Sequence, residues 1–169
     1  PSALPTWAVN DPGGRGRTVV LPADGSPAEG PAIDVLFPVL HGIHGEDGAV
    51  QGLASVAQVP LAGCGILGSA NALDKDIAKR LLQAAGLPAA RAVTIRRGET
   101  PDFSAVIAAV GLPMFVKPAR QGSSVGVSKV TDEAGFSAAL AEAFRHDDKL
   151  LAEEFIRGRE IEYAVLEEP

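Results

Sequence analysis

Two short apolar runs separated by a loop of glycine and serine constrain this chain more than any other stretch. Met114-Phe115-Val116 reads as a buried strand, and Lys117 stands at its end. Gln121-Gly122-Ser123-Ser124 follows after Pro118, then the alternating run Val125, Val127, Val130. Two such runs joined by a glycine loop predict a β-hairpin. Glycines let backbone N–H groups come close to an anion, and serine hydroxyls add donors. A lysine beside the loop supplies a point charge. The stretch therefore predicts a flap over a polyphosphate. It fits neither of two familiar phosphate loops. A Walker A loop needs four residues between its glycines and Lys-Ser or Lys-Thr directly after, whereas three residues separate Gly122 from Gly126 and Val127 follows. A kinase glycine loop precedes its lysine strand, whereas Lys117 comes first here.

A second glycine-rich turn follows the β-branched and aromatic run Ile33 to Leu40, which predicts a buried parallel strand. The turn is His41-Gly42-Ile43-His44-Gly45-Glu46-Asp47-Gly48, and a helix pattern with Val50, Leu53, Ala54 and Ala57 on one side comes next. Strand, glycine turn and helix make half of a βαβ unit, which places ligands at the strand's carboxyl end, where His41 stands. Glu46 and Asp47 fall near the helix start, where the helix dipole favours acids. Residues 1–32 read as loop apart from a short strand at Val19 to Leu21, with Trp7 as a surface anchor.

Gly63-Cys64-Gly65-Ile66-Leu67-Gly68 matches the dinucleotide pattern G-x-G-x-x-G. That site needs a helix starting inside the motif and an acid about 20 residues on. The next helix reads as starting near Asp74, and Leu87-Pro88-Ala89-Ala90 holds no acid, so the match is discounted. Asp74 to Ala85 predicts a helix with Ile77, Leu81, Leu82 and Ala85 as its apolar side, closed by Gly86-Leu87-Pro88. A helix at Ser104 to Val110 closes similarly in Gly111-Leu112-Pro113, and each leads to a strand, Ala92 to Arg96 and then Met114 to Lys117. After the flap, Thr131 or Asp132 caps a helix to Phe144 whose apolar face is Phe136, Ala139, Leu140 and Phe144. Leu150 to Ile156 predicts a strand, Arg157-Gly158 a turn, and Tyr163 to Leu166 a further strand.

The net charge of −6 argues against a general nucleic-acid binder. Apolar runs fall short of the ~18 residues that a membrane span needs. The single cysteine, Cys64, excludes an internal disulfide and is compatible with a reducing cytosol. The chain begins at Pro1 without methionine and ends at Pro169 just past an apparent strand, so it reads as cut at both ends.

Val116-Lys117-Pro118 with Gln121 to Val130, and the turn His-Gly-x-x-Gly-Glu-Asp-Gly at 41–48, resemble the ATP-grasp ligases and, among them, the D-alanine–D-alanine ligase family. The likeness runs from Ile33 to Leu166. It implies an α/β fold: a partial Rossmann-like N-terminal lobe at 1–63, an ATP-grasp central lobe at 64–152, and the first strands of a C-terminal lobe at 153–169. By the same resemblance His41 contacts the substrate D-alanine, Glu46 supports it, and Ser123 joins them in the catalytic set. ATP would be held by Lys75 and Lys117, by Ser123, Ser124 and Val125 of the flap, by Glu153 to Ile156 (Glu153, Glu154, Phe155, Ile156) at the adenine, and by Glu160 at the ribose. His44 falls at a variable position and receives only exposed surface. The implied reaction joins two D-alanines through an acylphosphate for peptidoglycan precursor synthesis, with D-lactate or D-serine as alternative second substrates. A non-catalytic nucleotide-binding module is the reading from another class. The family's magnesium ligands, mobile-loop lysine and arginine would follow Pro169, so no metal ligand is assigned. A cytoplasmic homodimer is the implied setting, with no membrane or nucleic acid as partner.

Overall fold

The computed structural model describes residues 6–9, 16–20 and 28–165. Three strands, β1 (Thr6–Val9), β2 (Gly16–Val20) and β3 (Ala28–Ile33), form an antiparallel sheet in the order β1-β2-β3. The proline- and glycine-rich N-terminal stretch thus holds more strand than its sequence suggests. Val19 and Val20 do lie in a strand; Leu21 and the Trp7 side chain lie outside the described residues.

The run Ile33 to Leu40 is not the expected buried strand. Among the described residues its only strand-like pairing past Ile33 is one parallel bridge, Leu36 to Leu61, flanked by Leu36 N–H to Pro60 and Ala62 N–H to Leu36. Phe37 and Val39 are each 73% exposed. A buried parallel strand needs paired neighbours and cover on both faces, and the described residues supply a single bridge and leave Phe37 and Val39 open. The helix after the turn is α1 (Ala49–Val56), with Ala54 buried. The next helix, α2 (Ile66–Leu73), has Gly65 as its N-cap and so starts inside the G-x-G-x-x-G motif rather than after it. One of the two dinucleotide conditions is therefore met, while the acid about 20 residues on is still missing.

The second sheet positions the site. Its strands β4 (Ala92–Arg96), β5 (Met114–Pro118), β6 (Ser128–Val130) and β7 (Lys149–Glu154) lie in the order β4-β7-β5-β6, all antiparallel to their neighbours. Helices α4 (Phe103–Val110) and α5 (Glu133–Ala143) cover one face. Ile95, Met114, Val116, Val130, Leu150 and Ala152 point into them and meet Val106, Val110, Phe136, Ala139 and Ala143 in one core. Asp102 and Asp132 cap the two helices by accepting from Ser104 N–H and Gly135 N–H.

Strand alternation sends Thr94, Phe115, Lys117, Lys149, Leu151 and Glu153 to the opposite face. Against that face lies α3 (Lys75–Ala84), capped by Asp74 and closed at Gly86 by Gly86 N–H to Gln83 and Leu87 N–H to Leu82. The helix is held by its polar side. Asp76 is its buried residue, while the expected apolar side is open, with Leu81 at 50% and Leu82 at 41% exposure. Charges on the sheet's second face, Lys149 and Glu153, draw the acids and lysines of α3 inward. Past Glu154 the chain runs without a strand to residue 165. Tyr163 and Val165 are 84% and 89% exposed, so the strand expected over Tyr163 to Leu166 is absent at its described residues; Leu166 lies outside them.

Candidate active site

The hairpin arises as its sequence predicts: β5 and β6 pair antiparallel from Met114–Val130 to Val116–Ser128. Strand β6 is shorter than the valine alternation suggests, and Val125 and Val127 belong to the loop. Ser123 (φ 49°) and Ser124 (φ 58°) both adopt left-handed backbone, followed by Gly126 at φ 68°. Among the described residues the N–H groups of Ser123 and Ser124 have no partner, so the loop offers two free donors. Gly126 is required twice over. Besides its positive φ, a Cβ there would lie 2.8 Å from the His146 ring and 2.9 Å from Pro118.

A cleft of about 910 Å³ opens between this loop, the start of α3 and the chain leaving β7. Lys75, Lys117, Ser123, Ser124, Val125, Glu153, Glu154, Phe155, Ile156 and Glu160 all line it. These ten are the residues that the family resemblance assigns to the nucleotide. Phe115 and Phe155 form an apolar wall, with ring centroids 5.9 Å apart, and the Lys129 ammonium lies 4.7 Å over the Phe155 ring. Glu154 is less free than its neighbours: it accepts from Arg91 N–H at 2.8 Å and from Arg91 Nε at 2.6 Å, which lowers its carboxyl.

The cationic side of the cleft is built by α3 and β5. Lys75 donates through Nζ to the carbonyls of Gln121 and, at 3.4 Å, Ala119, at the base of the flap. Its backbone N–H also bonds to Ala119, whose own N–H bonds to Lys149. Burial, followed by the nearby Lys117 charge, pushes the Lys75 ammonium below the usual lysine range. Lys117 Nζ lies 2.5 Å from Glu153 Oε1. Burial alone would raise the Glu153 carboxyl, but the hydrogen bond from Lys117 and the Lys79 ammonium paired with Oε2 outweigh it and hold the group low.

Two lysines to which the sequence reading gave no role belong to this assembly. Lys79 Nζ lies 2.6 Å from Glu153 Oε2 and donates to the Ala90 carbonyl at 3.0 Å. Lys149 is 8% exposed at its side chain and bonds both Asp74 oxygens, at 2.7 and 2.5 Å, with Asp76 at 3.5 Å. The signal for Lys79 was its place one turn after Lys75 on the same helix face. That for Lys149 was its alternation with Leu151 and Glu153 on one strand.

His41 and Glu46 do not line this cleft. Glu46 Oε2 accepts from Gly42 N–H at 2.5 Å, and Glu46 N–H returns to the Gly42 carbonyl at 2.9 Å, so the acid closes the turn after His41. Gly45 is needed inside that turn, where a Cβ would sit 2.5 Å from Leu40 Cβ. Asp47 accepts from His44 N–H and Ala49 N–H, and these bonds lower its carboxyl. The His41 imidazole is exposed and has no partner among the described residues. His44 is exposed as expected, 87% at its side chain. A smaller cleft of about 340 Å³ joins Ile43 and Asp47 of the turn to Arg120 at the base of the flap.

Free loop donors, two lysines and an apolar wall suit a nucleotide: donors and positive charge for phosphates, aromatic faces for a base. Among the described residues no group of three or more His, Cys, Asp or Glu lies close enough together to hold a metal ion.

The fold and its cleft thus define an α/β protein with a lysine-bearing cleft under a hairpin flap. Comparison with known proteins narrows the class. Residues 12–64 match the family model described as D-ala D-ala ligase N-terminus, and residues 81–169 match D-ala D-ala ligase C-terminus. The chain is 67% identical over 157 residues to D-alanine–D-alanine ligase A of Brucella suis, covering 93% of this chain and 44% of that protein. Two solved structures share the fold. The D-alanine–D-alanine ligase of Coxiella burnetii aligns with TM-score 0.72 and 33% identity over 85% of this chain and 44% of its own. The VanG D-Ala:D-Ser ligase of Enterococcus faecalis aligns with TM-score 0.69 and 37% identity over the same shares. The chain belongs to the D-alanine–D-alanine ligase family. It spans less than half the length of these relatives.

Proposed function

We propose that the full-length protein is an ATP-dependent ligase that joins two D-alanines for cell-wall peptidoglycan precursors. The observation that carries the reading is the meeting, in one cleft, of Lys75, Lys117, the Ser123-Ser124 loop and the Glu153 to Glu160 segment, residues far apart in sequence. The family's named relatives support the substrate. In this reading the two lysines and the free N–H groups of Ser123 and Ser124 grip the phosphates and offset charge on the transferring phosphoryl. Glu153 and the chain to Ile156 meet the adenine, Glu160 takes the ribose hydroxyls, and His41, steadied by the Glu46 turn, receives the first D-alanine carboxylate. That carboxylate attacks the γ-phosphorus, the bridging P–O bond to ADP breaks, and an acylphosphate forms. The second D-alanine's amine attacks the acyl carbon, the tetrahedral intermediate expels phosphate, and the nitrogen loses a proton.

The lobes then divide at 1–63, 64–152 and 153–169. Magnesium receives no ligand among the described residues, and the setting is a cytoplasmic homodimer. D-serine as the second substrate is the competing reading, favoured by the likeness to the VanG D-Ala:D-Ser ligase. The test is product analysis with purified full-length protein, ATP, magnesium, and D-alanine alone or with equimolar D-serine. D-alanyl-D-alanine with phosphate release dependent on D-alanine is the expected result. The mixed dipeptide as main product transfers the assignment to D-serine, and absence of any amino-acid-dependent phosphate release refutes the ligase reading.

A further inference from the structure

The two oxygens of Glu153 rest on two different lysines, and the lysines differ in freedom. Lys117, on Oε1 at 2.5 Å, rises from β5 and lines the cleft. Lys79, on Oε2 at 2.6 Å, comes from α3 and stays out of the cleft wall. It is 17% exposed and bound from behind by the Ala90 carbonyl at 3.0 Å. A polyphosphate in the cleft competes for Lys117, because an ammonium can serve the phosphates or the carboxylate but is drawn to the larger charge. Lys79 has no such choice, since it does not reach the cleft. Once Lys117 turns to the phosphates, Glu153 Oε1 is freed toward the ligand while Oε2 keeps its cation. An ionised carboxylate accepts hydrogen bonds and cannot donate them. It therefore suits a purine whose 6-position carries an amino donor, and it repels one carrying a 6-oxo acceptor.

We infer that Lys79 is a positioning residue for base selection, holding Glu153 in the cleft as a charged acceptor after Lys117 has moved to the phosphates. This inference rests on the reading of the cleft as an ATP site. Without Lys79, a Glu153 deserted by Lys117 is a carboxylate only 14% exposed with no cation paired to it, which favours its protonated form. A protonated carboxyl donates as well as accepts, so discrimination between the two purines fades.

The experiment is equilibrium titration of the full-length protein with ATP and with inosine triphosphate, for wild type, Lys79→Met and Lys79→Arg, with melting temperatures alongside. Wild type is expected to prefer ATP. Lys79→Met is expected to lose ATP affinity by about tenfold or more, the order of one charged hydrogen bond, with inosine triphosphate affinity changed far less. Lys79→Arg, which keeps the cation, is expected to retain most of the preference. A purely structural lysine would lower the melting temperature and leave the preference as it was. A folded Lys79→Met protein with the wild-type ratio of affinities overturns the inference. Should that variant not fold, the wild-type structure with ATP bound decides: Lys79 still on Glu153 with Lys117 on the phosphates supports the inference, and any other pairing overturns it. Wild type that binds neither nucleotide sinks the ATP-site reading itself, and this inference with it.

Discussion

Replacing Lys149 by methionine removes the ammonium that ties α3 to the sheet while keeping a side chain of similar length. The structure sets the cost. Lys149 is buried and Asp74 partly so, with side-chain exposures of 8% and 15%, and Asp76 lies beside them at 7%. Breaking a buried pair by deleting one partner typically costs about 3–5 kcal/mol, because a charge is left without compensation. Two facts place this case at the lower end. Asp74 still accepts from Asp76 N–H and Ile77 N–H as the helix cap, and Asp76 still holds Arg80 at 2.8 Å and the Thr94 hydroxyl at 3.0 Å. The expected loss is therefore about 3 kcal/mol, read by urea unfolding of wild-type and variant proteins under identical conditions. Adding Asp74→Asn to Lys149→Met is expected to recover part of it, since the stranded charge is then gone, at the expense of a weaker helix cap. A loss below about 1 kcal/mol, the range of an exposed ion pair, would refute the claim that this lysine anchors the helix carrying Lys75.

Two further perturbations follow from the same geometry. Asp147 is held by the Arg120 side chain and by N–H groups of Arg120 and Lys149; these outweigh burial and bring its carboxyl from the ordinary value near 3.8 down to about 2. Because the folded value is depressed, this stabilisation is present above pH ~4 and lost as pH falls through the folded value. The stability gap between wild type and Asp147→Asn should therefore close between about pH 4 and pH 2, and a gap constant across that range would contradict the assignment. In the flap, Gly126→Ala faces both the left-handed backbone penalty of about 1–2 kcal/mol and crowding against Pro118 and His146. Gly122→Ala has nothing within 4 Å of its new Cβ, so thermal melting should show a clear loss for the first and almost none for the second.

What could be read from the sequence was what neighbours along the chain decide. Asp132 caps α5 because a carboxylate three residues from a free N–H needs no distant partner. Gly86 closes α3, and the apolar run Met114 to Val116 forms the strand β5. The hairpin and its lysine were legible for the same reason. Features that depend on distant residues were not. The run Ile33 to Leu40 has the composition of a buried strand, but composition does not supply a neighbour, and among the described residues Leu36 finds only Leu61. Leu81 and Leu82 look like a buried stripe, yet α3 turns its acids and lysines to the sheet because Lys149, 75 positions from Asp74, waits there. The bracing of Glu153 by Lys79 depends on the same distant packing. The cleft residues were assembled in the sequence by family resemblance, and their common wall became visible only once β5, α3 and the segment after β7 were seen together.

The central claim is that the cleft under the flap binds ATP through Lys117. The direct measurement is calorimetric titration of ATP into folded full-length wild type and Lys117→Ala. Lys79 remains on Glu153 in that variant, so its carboxylate keeps a cation and the fold is not the casualty. Loss of one charged contact predicts an affinity at least about tenfold weaker for the variant. Equal ATP affinity in the two proteins would contradict the account.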